Sequence, residues 1–144
     1  MISIVCVGKI KESYLKDMIE DYLKRINKYH KLSIIELKDS DINNEEKEIV
    51  KYLKKDAYKI ALDINGNSYD SVSFAKKIND TFNHYGEITF VIGGSDGIGI
   101  NAKNMCDERL SFSDLTFPHG LFRAILLEQI YRSFKINNNE TYHK

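Results

Sequence analysis

Three stretches of the chain hold the residue types that chemistry needs. The first is "FVIGGSDGIG", where Gly93, Gly94, Gly97 and Gly99 follow an apolar run. Glycines just beyond the carboxyl end of a buried strand let backbone approach a ligand closely. Four in seven residues exceed what a plain chain reversal needs, so a nucleotide or cofactor loop is expected. The second is "LSFSDLTFPHGLFR", Leu110 to Arg123, which sets Ser113, Asp114, Thr116 and His119 between a strand and a helix. Loops in that position tend to carry function. Phe112, Leu115 and Phe117 are suited to flank a flat ring such as adenine. The bland alternative makes these three core residues and Asp114 a turn cap. His119 follows Pro118 at the start of a helix, where the dipole disfavours a cation, so a neutral ring able to accept a proton is expected. The third is the terminal "NETYHK". Tyr142, His143 and Lys144 bring a phenol, an imidazole and an ammonium group, types used for proton handling and anion contact. A frayed end is the alternative there.

What these stretches lack narrows the cofactor. "GIGINA" formally satisfies the relaxed dinucleotide fingerprint G-x-G-x-x-A. It begins well after the strand ends, and too little chain follows to complete a second mononucleotide half. NAD is therefore disfavoured. No G-x-x-x-x-G-K-[ST] is present, which excludes a P-loop. The two cysteines, Cys6 and Cys106, form no CxxC, so neither a zinc site nor a disulfide framework is expected. No metal-ligand cluster is visible.

The elements that must position these residues alternate in type. "ISIVCV" (Ile2 to Val7) reads as a strand buried on both faces, with Cys6 a small core residue. Leu15, Met18, Ile19, Tyr22 and Ile26 recur at helical spacing from near Ser13. "LSIIEL" (Leu32 to Leu37) is a second strand, followed by a charged helix from Asn44 to Lys55. "YKIALDI" (Tyr58 to Ile64) is a third strand, and "NGN" (Asn65 to Asn67) signals a turn. Ser71 is expected to cap a helix whose face is Val72, Ala75, Ile78, Thr81, Phe82 and Tyr85. "ITFVI" (Ile88 to Ile92) is the fourth strand; a short helix over Asn101 to Cys106 and a weak strand over Arg109 to Ser113 follow. The last helix runs from His119 to Ile136, with Pro118 suited to its start. The class is α/β with a mostly parallel sheet, and 144 residues make one domain, 1–144.

With 42% hydrophobic and 29% charged residues, the composition is globular. No apolar run is long enough for a bilayer span, and "MISIVCVGKIKE" lacks the features of a signal peptide, so a cytoplasmic protein is expected. Net charge is zero, which by itself points to no nucleic acid. From Arg109 onward there is an excess of two positive charges. The last helix has apolar residues on more than one side, which is read as a call for a symmetric partner.

Read together, "MISIVCVGKIKE", "VIGGSDG", "LSFSDLTFPHGLFRAILLEQIYRSFKI" and the terminal "YHK" resemble the ribosomal RNA large-subunit methyltransferase H family, small bacterial enzymes of the SPOUT class. The resemblance spans essentially the whole chain. It implies S-adenosylmethionine-dependent methylation of N3 of a pseudouridine in large-subunit ribosomal RNA, on the assembled ribosome. It also implies a homodimer and a five- to six-stranded sheet whose C-terminal part forms a trefoil knot. Carried over by position, Leu62, Gly93, Phe112, Ser113, Asp114, Leu115, Thr116 and Phe117 would hold the cofactor. His119 or His143 would accept the N3 proton, and Tyr142 would stack on the base or hydrogen-bond its carbonyl. Arg123 and Arg132, with Lys144, would hold rRNA phosphates or a base carbonyl, and the tail would reach the partner subunit's pocket. A related enzyme acting on tRNA and a non-catalytic ribosome-binding module are the alternatives.

Overall fold

The computed structural model describes all 144 residues. Ten elements alternate along the chain: β1 (Ile2–Val7), α1 (Ser13–Asn27), β2 (Leu32–Leu37), α2 (Ile42–Val50), β3 (Tyr58–Ser68), α3 (Ser71–Phe82), β4 (Ile88–Ile92), α4 (Ile100–Met105), β5 (Glu108–Ser111) and α5 (His119–Asn137). The five strands form one sheet in the order β2-β1-β4-β3-β5, and every neighbouring pair is parallel. The α/β expectation therefore holds, with five strands.

A parallel sheet covered on both faces needs strands that are apolar throughout. In β1, Ile2, Ile4 and Cys6 enter the larger core cluster with α1, α3 and α5, while Val5 and Val7 enter the smaller cluster with α2 and α4. In β4, Ile88, Phe90 and Ile92 point one way and Val91 the other. This is the period-2 alternation of a pleated strand, repeated on two neighbouring strands. Burial pushes the thiols of Cys6 and Cys106 up to about 11, which leaves both protonated and unreactive.

Four expectations shift. α2 starts earlier than Asn44 because Asp41 caps it, accepting from the Asn44 amide at 2.9 Å. It also stops at Val50, well before Lys55. The capping residue of α3 is Asp70 rather than Ser71: its carboxylate accepts from the Ser73 amide at 2.7 Å, and the Ser73 hydroxyl accepts from the Asp70 amide at 3.0 Å. The buried stripe of α3 consequently centres on Phe74, Ala75, Ile78 and Thr81, and Val72 is exposed. Asn65 to Asn67 are not a turn between elements. They lie inside β3, where Leu110 pairs with both Leu62 and Asn67 and the intervening residues bulge outward. β5 ends at Ser111, which frees Phe112 and Ser113 from the ladder.

The two apolar sides of α5 are covered within the chain. Ala124, Leu126, Leu127, Ile130, Tyr131 and Phe134 all join the core that α1 and α3 share with the sheet. The apolar content of α5 thus does not by itself demand a second copy. No helix is long and apolar enough to cross a membrane.

Candidate active site

The carboxyl ends of β3, β4 and β5 open into a cleft of about 320 Å³. Leu62, at the start of the bulge in β3, and Ile92, the last residue of β4, form its base, and Phe112, Phe117 and Phe122 form an apolar wall. Those three rings pack on one another, with Phe112 5.3 Å and Phe117 6.2 Å from Phe122 between centroids. Leu115 lies at the mouth with 72% of its surface exposed. The glycine loop closes the other side. Gly97 has φ +82° and its amide donates to the Gly94 carbonyl at 3.0 Å, making a tight turn. A Cβ on Gly93 would stand 2.5 Å from the Gly97 carbonyl carbon, so only glycine allows this turn to fold back on the strand end.

The bulge in β3 brings Asp63 and Ile64 to the cleft. Asp63 pairs with Lys103 at 3.0 Å. Burial opposes ionisation of its carboxyl, but the Asn65 amide and the Lys103 ammonium outweigh that and hold it below the usual carboxylate range. An anionic carboxylate with its cation therefore sits at the rim of an otherwise apolar wall.

His119 opens α5 and lines the same cleft. It packs against Gly8, at the end of β1: a Cβ there would stand 2.9 Å from His119 Nε2 and 3.4 Å from Asp39 Oδ2. Gly8 also has φ +99°. Both facts make glycine the residue that fits. One turn further along α5, Arg123 is 2% exposed. Its guanidinium donates to the Gly8 carbonyl at 2.9 Å and to Glu36 of β2 at 2.7 Å. Arg123 is thus a buried brace between three elements. The expectation that it grips rRNA phosphates is corrected by that burial.

The second helix grips the glycine loop from outside. Glu46 accepts from the amides of Asn101 and Ala102 at 2.9 and 3.1 Å, capping α4, which has no capping side chain of its own. Glu45 is 5% exposed; it accepts from the Ser40 amide at 2.9 Å and faces Gly94.

The tail is docked rather than frayed. Tyr142 donates to Glu128 at 3.1 Å, packs edge-on to Tyr131 at 4.9 Å, and lies under the Arg132 guanidinium at 4.8 Å. Burial, reinforced by Tyr22 and the Glu128 charge, pushes its phenol well above the usual tyrosine value, so Tyr142 is a hydrogen-bond donor and not a base. Arg132 donates to His143 Nδ1 at 3.0 Å. This docking lies about 20 Å from His119 along α5, thirteen residues at the helical rise. One chain therefore does not bring the tail to its own cleft.

A family model described as "Predicted SPOUT methyltransferase" matches residues 1–143. The chain belongs to the SPOUT methyltransferase family. Relatives named ribosomal RNA large subunit methyltransferase H, from Clostridium tetani and Acetivibrio thermocellus, are each 45% identical, with 99% of both chains covered. A Methanococcus maripaludis relative reaches 51% identity over 99% of both chains. Among solved structures, a probable methylase family protein from Haemophilus influenzae superposes with a TM-score of 0.60 at 10% identity, covering 99% of this chain and 70% of that one. That likeness concerns the fold alone.

Within this SPOUT chain, seven of the eight residues expected to hold a cofactor line one cleft: Leu62, Gly93, Phe112, Ser113, Leu115, Thr116 and Phe117. Asp114 is exposed and lies outside the lining. His119 joins the cleft, whereas Tyr142 and His143 sit apart from it. Gly8, Asp39, Glu45, Glu46 and Asp63 were not foreseen. For Gly8 a signal existed, since it ends a buried strand on a positive-φ residue type.

Proposed function

We propose that this chain methylates N3 of a pseudouridine in large-subunit ribosomal RNA, on the assembled ribosome in the cytoplasm, with S-adenosylmethionine as methyl donor. The observation that carries the reading is the cleft itself, an apolar slot at the strand ends with His119 in its lining. Its residues fit that donor. Phe112, Phe117 and Leu62 would flank a flat adenine, and Gly97, with nothing within 4 Å of where its Cβ would stand, offers a ligand bare backbone in the lining. Asp63 with Lys103 offers charge of both signs for an amino-acid moiety.

When bound, S-adenosylmethionine supplies a methyl group already activated on a sulfonium. The rest is the protein's work. Direct displacement is mainly a positioning problem, which a rigid strand-end cleft serves. The imide N3 of pseudouridine carries a proton and is a poor nucleophile until that proton leaves, so a base at the site is needed. His119 is favoured over His143 for this role. In the docked tail, His143 already accepts from Arg132 at Nδ1, which leaves no free lone pair on a neutral ring.

The separation of tail and cleft supports a homodimer in which Tyr142 and His143 of one chain complete the cleft of the other. Arg132 and Lys144 then reach RNA with the tail. The trefoil knot belongs to this reading too. The chain leaves β4, between β1 and β3, for β5 at the far edge and returns over the sheet in α5.

The test incubates the purified protein with ribosomes, free large-subunit rRNA and tRNA, using labelled S-adenosylmethionine, with NAD binding as control. Label confined to large-subunit rRNA in assembled ribosomes, mapped by mass spectrometry to N3 of a pseudouridine, is expected. Label in tRNA alone would reassign the substrate. Ribosome binding without S-adenosylmethionine binding would replace the enzyme by a binding module.

A further inference from the structure

A second recess, of about 480 Å³, lies at the edge of the sheet. β5 is an edge strand with β3 as its only neighbour, and the recess runs along it. On one face of β5, Glu108 meets Lys77 of α3; on the other, Arg109 reaches Asn104 of α4. Lys103 lines both this recess and the cleft, so the two adjoin. The charges here do not cancel. Asp107 pairs with Lys59 at 3.5 Å, Glu108 with Lys77 at 3.0 Å, and Asp63 at the cleft rim with Lys103 at 3.0 Å. Each acid has its own cation. Arg109 takes part in none of the molecule's ion pairs. Of the other basic residues beyond it, Arg123, Arg132 and Lys135 are paired with Glu36, Glu128 and Glu140, which leaves Lys144 in the tail.

We propose that this recess holds a backbone phosphate of the RNA strand whose base enters the cleft, with Arg109 as its anchor. The half-buried Arg109 donates from Nη2 to Asn104 Oδ1 at 2.8 Å, which aims the guanidinium and leaves Nε and Nη1 free to donate. Because the Asn104 oxygen is taken, its Nδ2 is the group left for a ligand. Asn67 adds a second, exposed amide at the same recess. A planar guanidinium fork flanked by amides suits the oxygens of a phosphate. The place suits an RNA strand as well. Burial opposes ionisation of Asp63, and Arg109 is among the charges that overcome it, after the Asn65 amide and Lys103, so its field reaches the cleft rim. A nucleotide seated in the cleft carries its own phosphates to that rim. With a net charge of zero the chain has no general attraction for RNA, and local unpaired cations must supply it.

This inference rests on the RNA substrate of the proposed function, but its first readout needs no methyl transfer. Filter binding of the full chain to ribosomes is followed over a range of potassium chloride concentrations. Arg109→Gln is expected to weaken binding several-fold at low salt and to flatten the slope of log K against log salt by about one. In ribosome methylation the loss should fall on KM for ribosomes rather than on kcat, with the S-adenosylmethionine Kd within about twofold of wild type. NMR then identifies the source of the phosphate. The side-chain amides of Asn67 and Asn104 should shift with a short single-stranded RNA at far lower concentration than with inorganic phosphate, and with neither in Arg109→Gln. An unchanged salt slope in Arg109→Gln overturns the proposal. So does inorganic phosphate acting as strongly as RNA, which would make the recess a site for small anions. Ribosome binding that depends on Arg109, in a protein that methylates no RNA, would sink the methyltransferase reading and leave this contact standing.

Discussion

His119 Nε2 occupies the space that a side chain on Gly8 would fill, 2.9 Å from the missing Cβ. The end of one strand is therefore the seat of the histidine at the cleft. Gly8→Ala meets two obstacles, the φ of +99° and the ring itself. We expect it to cost about 1–3 kcal/mol in urea unfolding. Methyl transfer should fall much further than S-adenosylmethionine affinity, as measured by single-turnover labelling beside calorimetric titration. A variant with full activity would show that His119 needs no fixed seat.

Removing Tyr142 to Lys144 should leave S-adenosylmethionine binding intact and abolish methyl transfer. The tail lies far from the cleft of its own chain, so the loss should be repairable in trans. Mixing the truncated chain with full-length His119→Ala, each inactive alone, is expected to restore activity in mixed dimers. Failure of the mixture, with mixed dimers shown by mass spectrometry, would place the tail outside the reaction.

Glu46→Ala removes the only carboxylate that accepts from the Asn101 and Ala102 amides. A lost cap costs about 1 kcal/mol. Because α4 follows directly on the glycine loop, a several-fold weaker S-adenosylmethionine Kd is expected with kcat at saturation little changed. Calorimetry checks the first and steady-state labelling the second.

Glu108 is 8% exposed and clasped by Tyr58, Tyr69 and Lys77. Burial pushes its carboxyl up, but the hydrogen bonds from Tyr69, Lys77 and Tyr58 outweigh burial and hold it below the usual range. A carboxyl depressed in the folded state contributes stability above its unfolded value, about 4.3 for a glutamate. That contribution is lost as pH falls through the folded value. Glu108→Gln should therefore lower stability at pH 7 by about 2 kcal/mol and narrow its gap to wild type in acid. Urea midpoints at pH 7 and pH 3 decide it; a constant gap would mean that charge is irrelevant at this position.

The scaffold was legible where a residue's partners are set by periodicity. The apolar runs of β1 and β4 announce buried strands, and "SFSDLTFPH" announces a loop before a helix. What stayed hidden depends on residues distant in the chain. Arg123 reads as an RNA contact until Glu36, 87 positions away, is seen beneath it. Asp39 has no local signature, since strand order alone brings its carboxylate to Gly8. The bulge at Asn65 to Asn67 looked like a turn because "NGN" fits both, and only the pairing with Leu110 separates them.

α5 starts at the cleft and ends beside the tail, so it works as a ruler with a phase as well as a length. One residue inserted between Arg123 and Arg132 would turn everything beyond it by about 100° around the axis and advance it by about 1.5 Å. The core contacts of Ile130, Tyr131 and Phe134 would rotate away together, and the docking place of Tyr142 with them. Along α5 every insertion or deletion breaks the alignment of two distant chemical groups at once, and its residue count is fixed by geometry rather than by any single contact.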